Sequence, residues 1–429
     1  MLIKRATIIQ SGNDTSVNDV LIEDGKIKRI DTTIDVPENM TIIDAKEQLL
    51  IPGGVEVHAH FREPGFENKE TILTGTQAAA KGGYTTVMPM PNLSPHPDNV
   101  KTIGEYLDLI QQSAVVNVVP YTCITKESTG EELVDMKAIK EEYGLKWFTD
   151  DGVGIQEESM MRQAMEQAKS VDSMIIAHTE DMTYRKPGSA VHDGVWAKLR
   201  GWVGIPSETE YKQIERDLKL AQETGATYHI CHMSAKESVE ALRKAKAEGV
   251  DATGEVTIHH LLLTETDVKD TNGKMNPPLR TAADRQALID GLLDGTIDFL
   301  ASDHAPHTLA DKNTPMDEAA FGIVTIESAI PLFYTHFVKK GHIDLETFQD
   351  LIAKKPAERF GLGKKGRIEE GYDADLVILS EKEKVIDSTD FASKGRNTPF
   401  EGYQCQGFPD ITIVGGEVVY DSREGETSA

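Results

Sequence analysis

The chain has 429 residues, 39% of them hydrophobic, and its 71 acidic against 45 basic residues give a formal charge of −26. That balance repels phosphate backbones and anionic membrane surfaces, so neither nucleic acid nor membrane is an expected partner, whereas an anionic small molecule needs only local positive charge. Cys123, Cys231 and Cys405 are odd in number and form no CxxC pair, which argues against a disulfide framework or a thiolate metal site and suits a reducing cytoplasm.

The opening MLIKRATIIQSGND meets Ser, Gly, Asn and Asp before a signal-peptide core could form, and no later stretch is apolar for the length of a membrane span. A soluble, cytoplasmic protein is expected. Short strands are expected at 2–9, 20–22, 26–30 and 40–44, with Asp24-Gly25 as a hairpin turn, leading to Leu49-Leu50-Ile51-Pro52. The texture then changes. Apolar strands at 54–60, 85–89, 115–121, 145–149, 174–178, 227–232, 251–256 and 299–303 alternate with helical spacing at 70–81, 157–170, 211–225, 235–249 and 283–293. Eight parallel strands close a β/α barrel. Strand texture returns at 374–379, 411–414 and 417–420. Neither end alone can bury two faces of a sheet, so the expected fold is α/β: a (β/α)8 TIM-like barrel over 53–362, and a small β-domain built from 1–52 and 363–429.

His58 and His60 stand two apart at the end of a strand, where period-two geometry turns both side chains to one face. An isolated HxH pair is ordinary. His178, His232 and Asp303, however, also end expected strands, and a parallel barrel gathers such ends at one mouth. Imidazole nitrogen and carboxylate oxygen are the ligands of catalytic zinc. Four histidines with one or two aspartates exceed the needs of one ion, so two metals bridged by a carboxylate are expected, with Asp151 as the bridge and a shared water made acidic.

The segments HAHFREPG (58–65), MPN (90–92), FTDDG (148–152), AHTED (177–181), HICHMS (229–234), KMNPPLR (274–280) and SDHAPH (302–307) resemble, in order, the dihydroorotase motifs of the amidohydrolase superfamily. The resemblance spans nearly the whole chain. It implies two zinc ions, with His58 and His60 on one, His178 and His232 on the other, Asp151 bridging, and Asp303 both contacting the first zinc and shuttling the proton. Many relatives bridge with a carboxylated lysine, and Lys146 lies close to that position; the FTDDG motif favours aspartate, leaving Lys146 an ordinary strand lysine and Asp150 a turn carboxylate. Arg62 is placed to offer its guanidinium to a substrate carboxylate. The resemblance adds His60, Asn92 and His307 to that recognition, and gives the ring amides to Asn276 and the backbone of Phe321-Gly322.

The implied reaction is reversible hydrolysis of dihydroorotate to N-carbamoyl-L-aspartate, a step of pyrimidine synthesis. The reading leaves room for a homodimer and for association with a carbamoyltransferase. Its rivals are a hydantoinase, dihydropyrimidinase or allantoinase on the same metals, and a noncatalytic barrel serving as a scaffold. Among the other polar residues, His259 and His260 are expected to pack or hydrogen-bond, His229 to face away from His232, and His304 away from Asp303. The three tryptophans are expected to pack. The polar stretch 308–320 reads as a loop beside the site, either a mobile lid or a static surface segment.

Overall fold

The computed structural model describes residues 1–37 and 39–423; residues 424–429, assigned above to the C-terminal part of the small β-domain, lie outside the described residues. Eight parallel strands form the centre: β1 (Gly54–Ala59), β2 (Tyr84–Pro89), β3 (Asn117–Val118), β4 (Trp147–Phe148), β5 (Met174–Ala177), β6 (Thr227–Ile230), β7 (Ala252–Thr257) and β8 (Phe299–Ala301). β1 to β3 pair in sequence, as do β4 to β8. Two parallel bridges join these sets into a ring, Thr122 with Phe148 between β3 and β4, and Ala59 with His304 between β8 and β1. The closed barrel removes both sheet edges.

A second sheet draws strands from both chain ends. Its order is Glu417–Asp421, Phe408–Val414, Leu376–Ser380, Leu49–Pro52, Leu2–Ser11, Asp14–Glu23 and Lys26–Asp31. The seam between the ends is antiparallel, with Ile378 opposite Leu50 and Leu376 opposite Pro52. Leu50, Leu376, Ile378, Ile411 and Ile413 are buried along it, and an apolar side chain of this size contributes about 1.5–3 kcal/mol on full burial.

At the end of the barrel away from the cluster of His58, His60, His178 and His232, Phe360, just past the helix Lys355–Arg359, packs its ring 5.4 Å from His229, 6.1 Å from Phe299 and 6.2 Å from Tyr121. This aromatic plug closes the core beneath the site. Helices cover the outside, and some begin at side-chain caps. The hydroxyl of Thr71 accepts from Thr74 N to start Ile72–Lys81, and Asn99 caps Val100–Ser113 by accepting from the backbone N–H of Lys101 and Thr102.

The helices Val100–Ser113 and Met136–Tyr143 go beyond the expected set. The strands expected at 115–121 and 145–149 shrink to two residues each, because their last residues leave the ladder to build the mouth. The 308–320 stretch is not all loop: Thr308 caps a short helix, Leu309–Lys312, through a reciprocal bond with Asp311. Trp147 is buried, while the guanidinium of Arg200 lies 4.7 Å from the ring of Trp196 and 5.5 Å from that of Trp202.

Candidate active site

The strand ends converge as parallel topology requires, helped by local kinks. His232 and Asp303 follow β6 and β8 with positive φ, 28° and 46°, and Arg62 has φ 63°. Non-glycine residues adopt this region only where the surroundings hold them there. His58 Nε2 lies 3.5 Å from Asp151 Oδ1 and 3.5 Å from Asp303 Oδ1. His60 Nε2 is 3.0 Å from Asp303 Oδ1 and 3.7 Å from Asp151 Oδ2. Across the centre, His178 Nδ1 is 3.0 Å from His232 Nε2 and 3.7 Å from Asp151 Oδ1. Asp151 thus stands between two histidine pairs, with its carboxylate toward both.

The donor set fits a bound cation. His58 Nε2 and Asp151 Oδ1 are fully buried, face each other, and have no hydrogen-bond partner. Buried polar atoms are rarely left so. The overlapping groups His58, His60, Asp303 and His58, Asp151, His232 each bring their ligand atoms within 4.8 Å of one another.

Every expected site residue except His58 lines one cavity of about 230 Å³, to which Gly152, Arg185 and Ala305 also contribute. Arg62 faces this cavity half-buried. Its Nε donates to Pro306 O at 3.3 Å, its Nη2 lies 3.3 Å from His307 Nε2, and among the described residues no carboxylate comes within 4 Å of it. Burial pushes it down only to about 10, so it stays charged at neutral pH. His307 is neutral there, because burial, with Arg62 and Lys69 beside it, pushes it down to about 2. Its Nε2–H donates to Phe321 O at 2.7 Å and its Nδ1 accepts from Lys69 at 3.2 Å.

Asn92 lines the cavity, but its amide is committed. Its Oδ1 accepts from His60 Nδ1 at 2.9 Å, and its Nδ2 donates to Asp151 O at 2.6 Å and Oδ2 at 3.2 Å. The side chain holds His60 and Asp151 in place in addition to any contact with a ligand. Asn276 Nδ2 donates to Glu180 Oε2 at 2.9 Å, and the same oxygen lies 3.1 Å from His178 Nε2. One carboxylate therefore orients both a histidine of the centre and a residue of the cavity wall, and Arg185 pairs with its other oxygen.

His229 is the clear departure from expectation. Its Nε2 meets Glu255 Oε2 at 3.0 Å while Glu255 Oε1 takes His58 Nδ1 at 2.7 Å, so it faces the barrel interior beneath His58. Three-residue spacing puts His229 and His232 on opposite faces only if the strand runs straight, and the positive φ at His232 breaks it. His304 does point away, with Nε2 3.3 Å from Glu70 Oε2. His260 bridges Thr257 Oγ1 at 2.7 Å and Pro277 O at 3.1 Å. Both ring nitrogens of His259 are buried without a partner. Asp150 accepts the backbone N–H of Ile124 and Thr125, as a turn carboxylate does, and the Lys146 ammonium lies 5.6 Å from the Trp147 ring.

Sequence reasoning passed over Glu56, Glu180, Glu255 and Arg185. Glu180 lies inside the AHTED motif, and Glu56 and Glu255 are carboxylates within strands that are otherwise almost wholly buried. An acid in such a strand is itself a signal, since burial must be answered by a partner. Glu56 Oε1 accepts from His58 N at 2.8 Å and Ser302 N at 3.1 Å, and burial pushes this group up to about 8.

Residues 47–238 match the family model described as dihydro-orotase-like, and 292–420 match that of the amidohydrolase family. The dihydroorotase of Halalkalibacterium halodurans is 49% identical over 99% of both chains, and that of Listeria innocua 48% identical over 99% of this chain and 100% of the other. Among solved structures, an L-hydantoinase (dihydropyrimidinase) from Arthrobacter aurescens superposes with TM-score 0.87 at 26% identity, covering 98% of this chain and 96% of that one. A dihydropyrimidinase from Brevibacillus agri reaches 0.86 at 22% identity over 98% and 95%, a likeness of fold. Among the described residues no helix is long and apolar enough to cross a membrane. With near half its residues shared over the full length of these relatives, the chain is a metal-dependent cyclic amidohydrolase and belongs to the dihydroorotase family.

Proposed function

We propose that the chain interconverts dihydroorotate and N-carbamoyl-L-aspartate in pyrimidine synthesis, with the residues around the 230 Å³ cavity dividing the work. The observation that carries the substrate choice is Arg62, a charged guanidinium facing the cavity with no carboxylate within 4 Å among the described residues. A substrate carboxylate supplies the missing partner, which plain hydantoins and dihydrouracil lack. His307 holds the Phe321 carbonyl in place beside Arg62, and Asn276 with the Phe321-Gly322 backbone meets the ring amides.

His58, His60 and Asp303 would hold one zinc ion and His178 with His232 a second, with Asp151 between them. Zinc suits this nitrogen and oxygen set, and when bound it supplies Lewis acidity and a water of lowered pKa. The remaining steps fall to side chains. Asp303, lining the cavity, takes a proton from the attacking water and delivers it to the ring nitrogen as the amide C–N bond breaks. In ring closure it removes that proton from the carbamoyl nitrogen, since one transition state serves both directions. Three buried, unpaired cysteines suit the reducing cytoplasm. A homodimer fits this reading as the assembly, and a carbamoyltransferase as a partner, because carbamoyl transfer to aspartate makes the substrate for ring closure.

Steady-state turnover of dihydroorotate, hydantoin, dihydrouracil and allantoin, measured alongside metal content, tests the proposal. Dihydroorotate should be preferred at about two zinc ions per chain. Activity confined to the other three would transfer the chain to the hydantoinase reading, and a metal-free chain with no gain on adding zinc would support a scaffold.

A further inference from the structure

The cavity wall formed by Phe321 and Gly322 is held from behind by two buried lysines. Lys312, 4% exposed at the end of the Leu309–Lys312 helix, donates from Nζ to Ala320 O and Gly322 O, both at 2.9 Å, and to Lys274 O at 3.2 Å. Lys274, 1% exposed, donates from Nζ to Met316 O at 2.6 Å and Asp317 O at 3.3 Å, and its ammonium lies 4.3 Å from the centre of the Phe321 ring. The Lys274 carbonyl also accepts from Gly322 N at 3.1 Å. Among the described residues neither ammonium has a carboxylate within 4 Å.

An ammonium buried without a counter-ion is costly, and here each carries backbone carbonyls in place of one. All of these carbonyls except that of Lys274 belong to the 316–322 segment that carries the cavity wall. Gly322 leaves no room for a side chain: with φ +127° its position suits glycine, and a Cβ there would come within 2.6 Å of Ala305 Cβ and 3.2 Å of His307 Nε2. The guanidinium of Arg185 lies 4.9 Å from the Phe321 ring, so the ring is held by cations as well as by its backbone.

We propose that Lys274 and Lys312 are positioning residues for the substrate, clamping the 316–322 backbone so that Phe321 and Gly322 present a fixed edge to a cyclic amide. The proposal rests on the reading that this edge meets the substrate ring. It assigns the 308–320 stretch a fastened wall in place of a moving lid. A clamp acting on ring placement changes affinity before it changes chemistry.

Lys312→Met and Lys274→Met remove the donors while keeping length and apolar bulk. Each should raise the KM for dihydroorotate about tenfold with kcat within threefold and metal content unchanged. The double variant should be less impaired than the product of the two, because both act on one segment. Folded single variants with wild-type KM would overturn the proposal, as would a loss confined to kcat and bound metal. Amide hydrogen exchange of the wild type is an independent readout. Residues 316–322 should be protected to the degree of the barrel strands, and exchange as fast as at the chain ends would overturn the clamp even if neither variant folds. Should the wild type prefer another cyclic amide, the proposed function fails while the same KM comparison, made with that amide, still tests the lysines.

Discussion

The sheet built from the chain ends and the mouth of the barrel both bury carboxylates, and they treat them differently. In the sheet, Asp19 accepts Arg5 N at 2.9 Å on one oxygen and Ile34 N at 3.0 Å on the other. Asp375 likewise accepts Gly415 N at 2.8 Å on Oδ1, and Asn117 Nδ2 at 3.0 Å with the Lys365 ammonium at 2.6 Å on Oδ2. At the mouth, His58 Nε2 and Asp151 Oδ1 stay buried and unpartnered, and His232 and Asp303 sit in the left-handed region. Each unmet buried group costs about 1–3 kcal/mol. In the sheet these two carboxylates meet a donor on each oxygen, whereas at the mouth the facing lone pairs of His58 and Asp151 stay free, as a bound cation requires.

Asp303→Ala should break the mouth's chemistry without touching the sheet. Turnover of dihydroorotate should fall about 10²–10⁴-fold, the range of a lost general acid–base, while the urea midpoint moves little. Wild-type turnover in this variant would remove Asp303 from proton transfer. The converse change is Ile378→Ala, opposite Leu50 in the seam and 1% exposed. It should lose about 2–5 kcal/mol in urea melts with kcat/KM within threefold, and a comparable fall in activity would mean that the two regions are coupled.

The smallest effect lies at the border between cavity wall and scaffold. Burial pushes Lys312 down to about 7 and Lys274 to about 8 from an ordinary 10.5, against the pull of Asp270 and Asp311 on the first and Asp317 on the second, with Arg185 adding to the depression of Lys274. Between about pH 7 and 10.5 the unfolded chain binds more protons at these lysines than the folded one, so they make stability rise with pH across that window. Lys312→Met should flatten the rise. Urea melts of both proteins at pH 7 and pH 9 check it, and an identical pH slope would mean that Lys312 titrates normally in the folded chain.

Much of the barrel was legible because its strands are short apolar runs and four of them end in histidine or aspartate. Period-two alternation was enough to pair His58 with His60. It misjudged His229, since no local pattern announces the positive φ at His232. The family resemblance gives Asn92 to the substrate carboxylate, and the fold adds bonds from its amide to His60 and Asp151, contacts made across 32 and 59 residues of sequence. Glu180, Glu255 and Arg185 were passed over for the same reason: each takes its role from a partner that only folding supplies. The helix Leu309–Lys312 was hidden by its polar composition, although Thr308 with Asp311 three residues on is a capping pair that the sequence does contain.

The sequence by itself determined which atoms could act, through the spacing of imidazoles and carboxylates at the ends of apolar strands, and it determined the alternation of strand and helix, because hydrophobic period is a local property. Tertiary structure decided which of those atoms face one another, which lone pairs stay free, and which backbone edge two distant lysines hold against the cavity. Those outcomes depend on ring closure and on backbone angles at single residues, and each is set by the packing of the whole barrel.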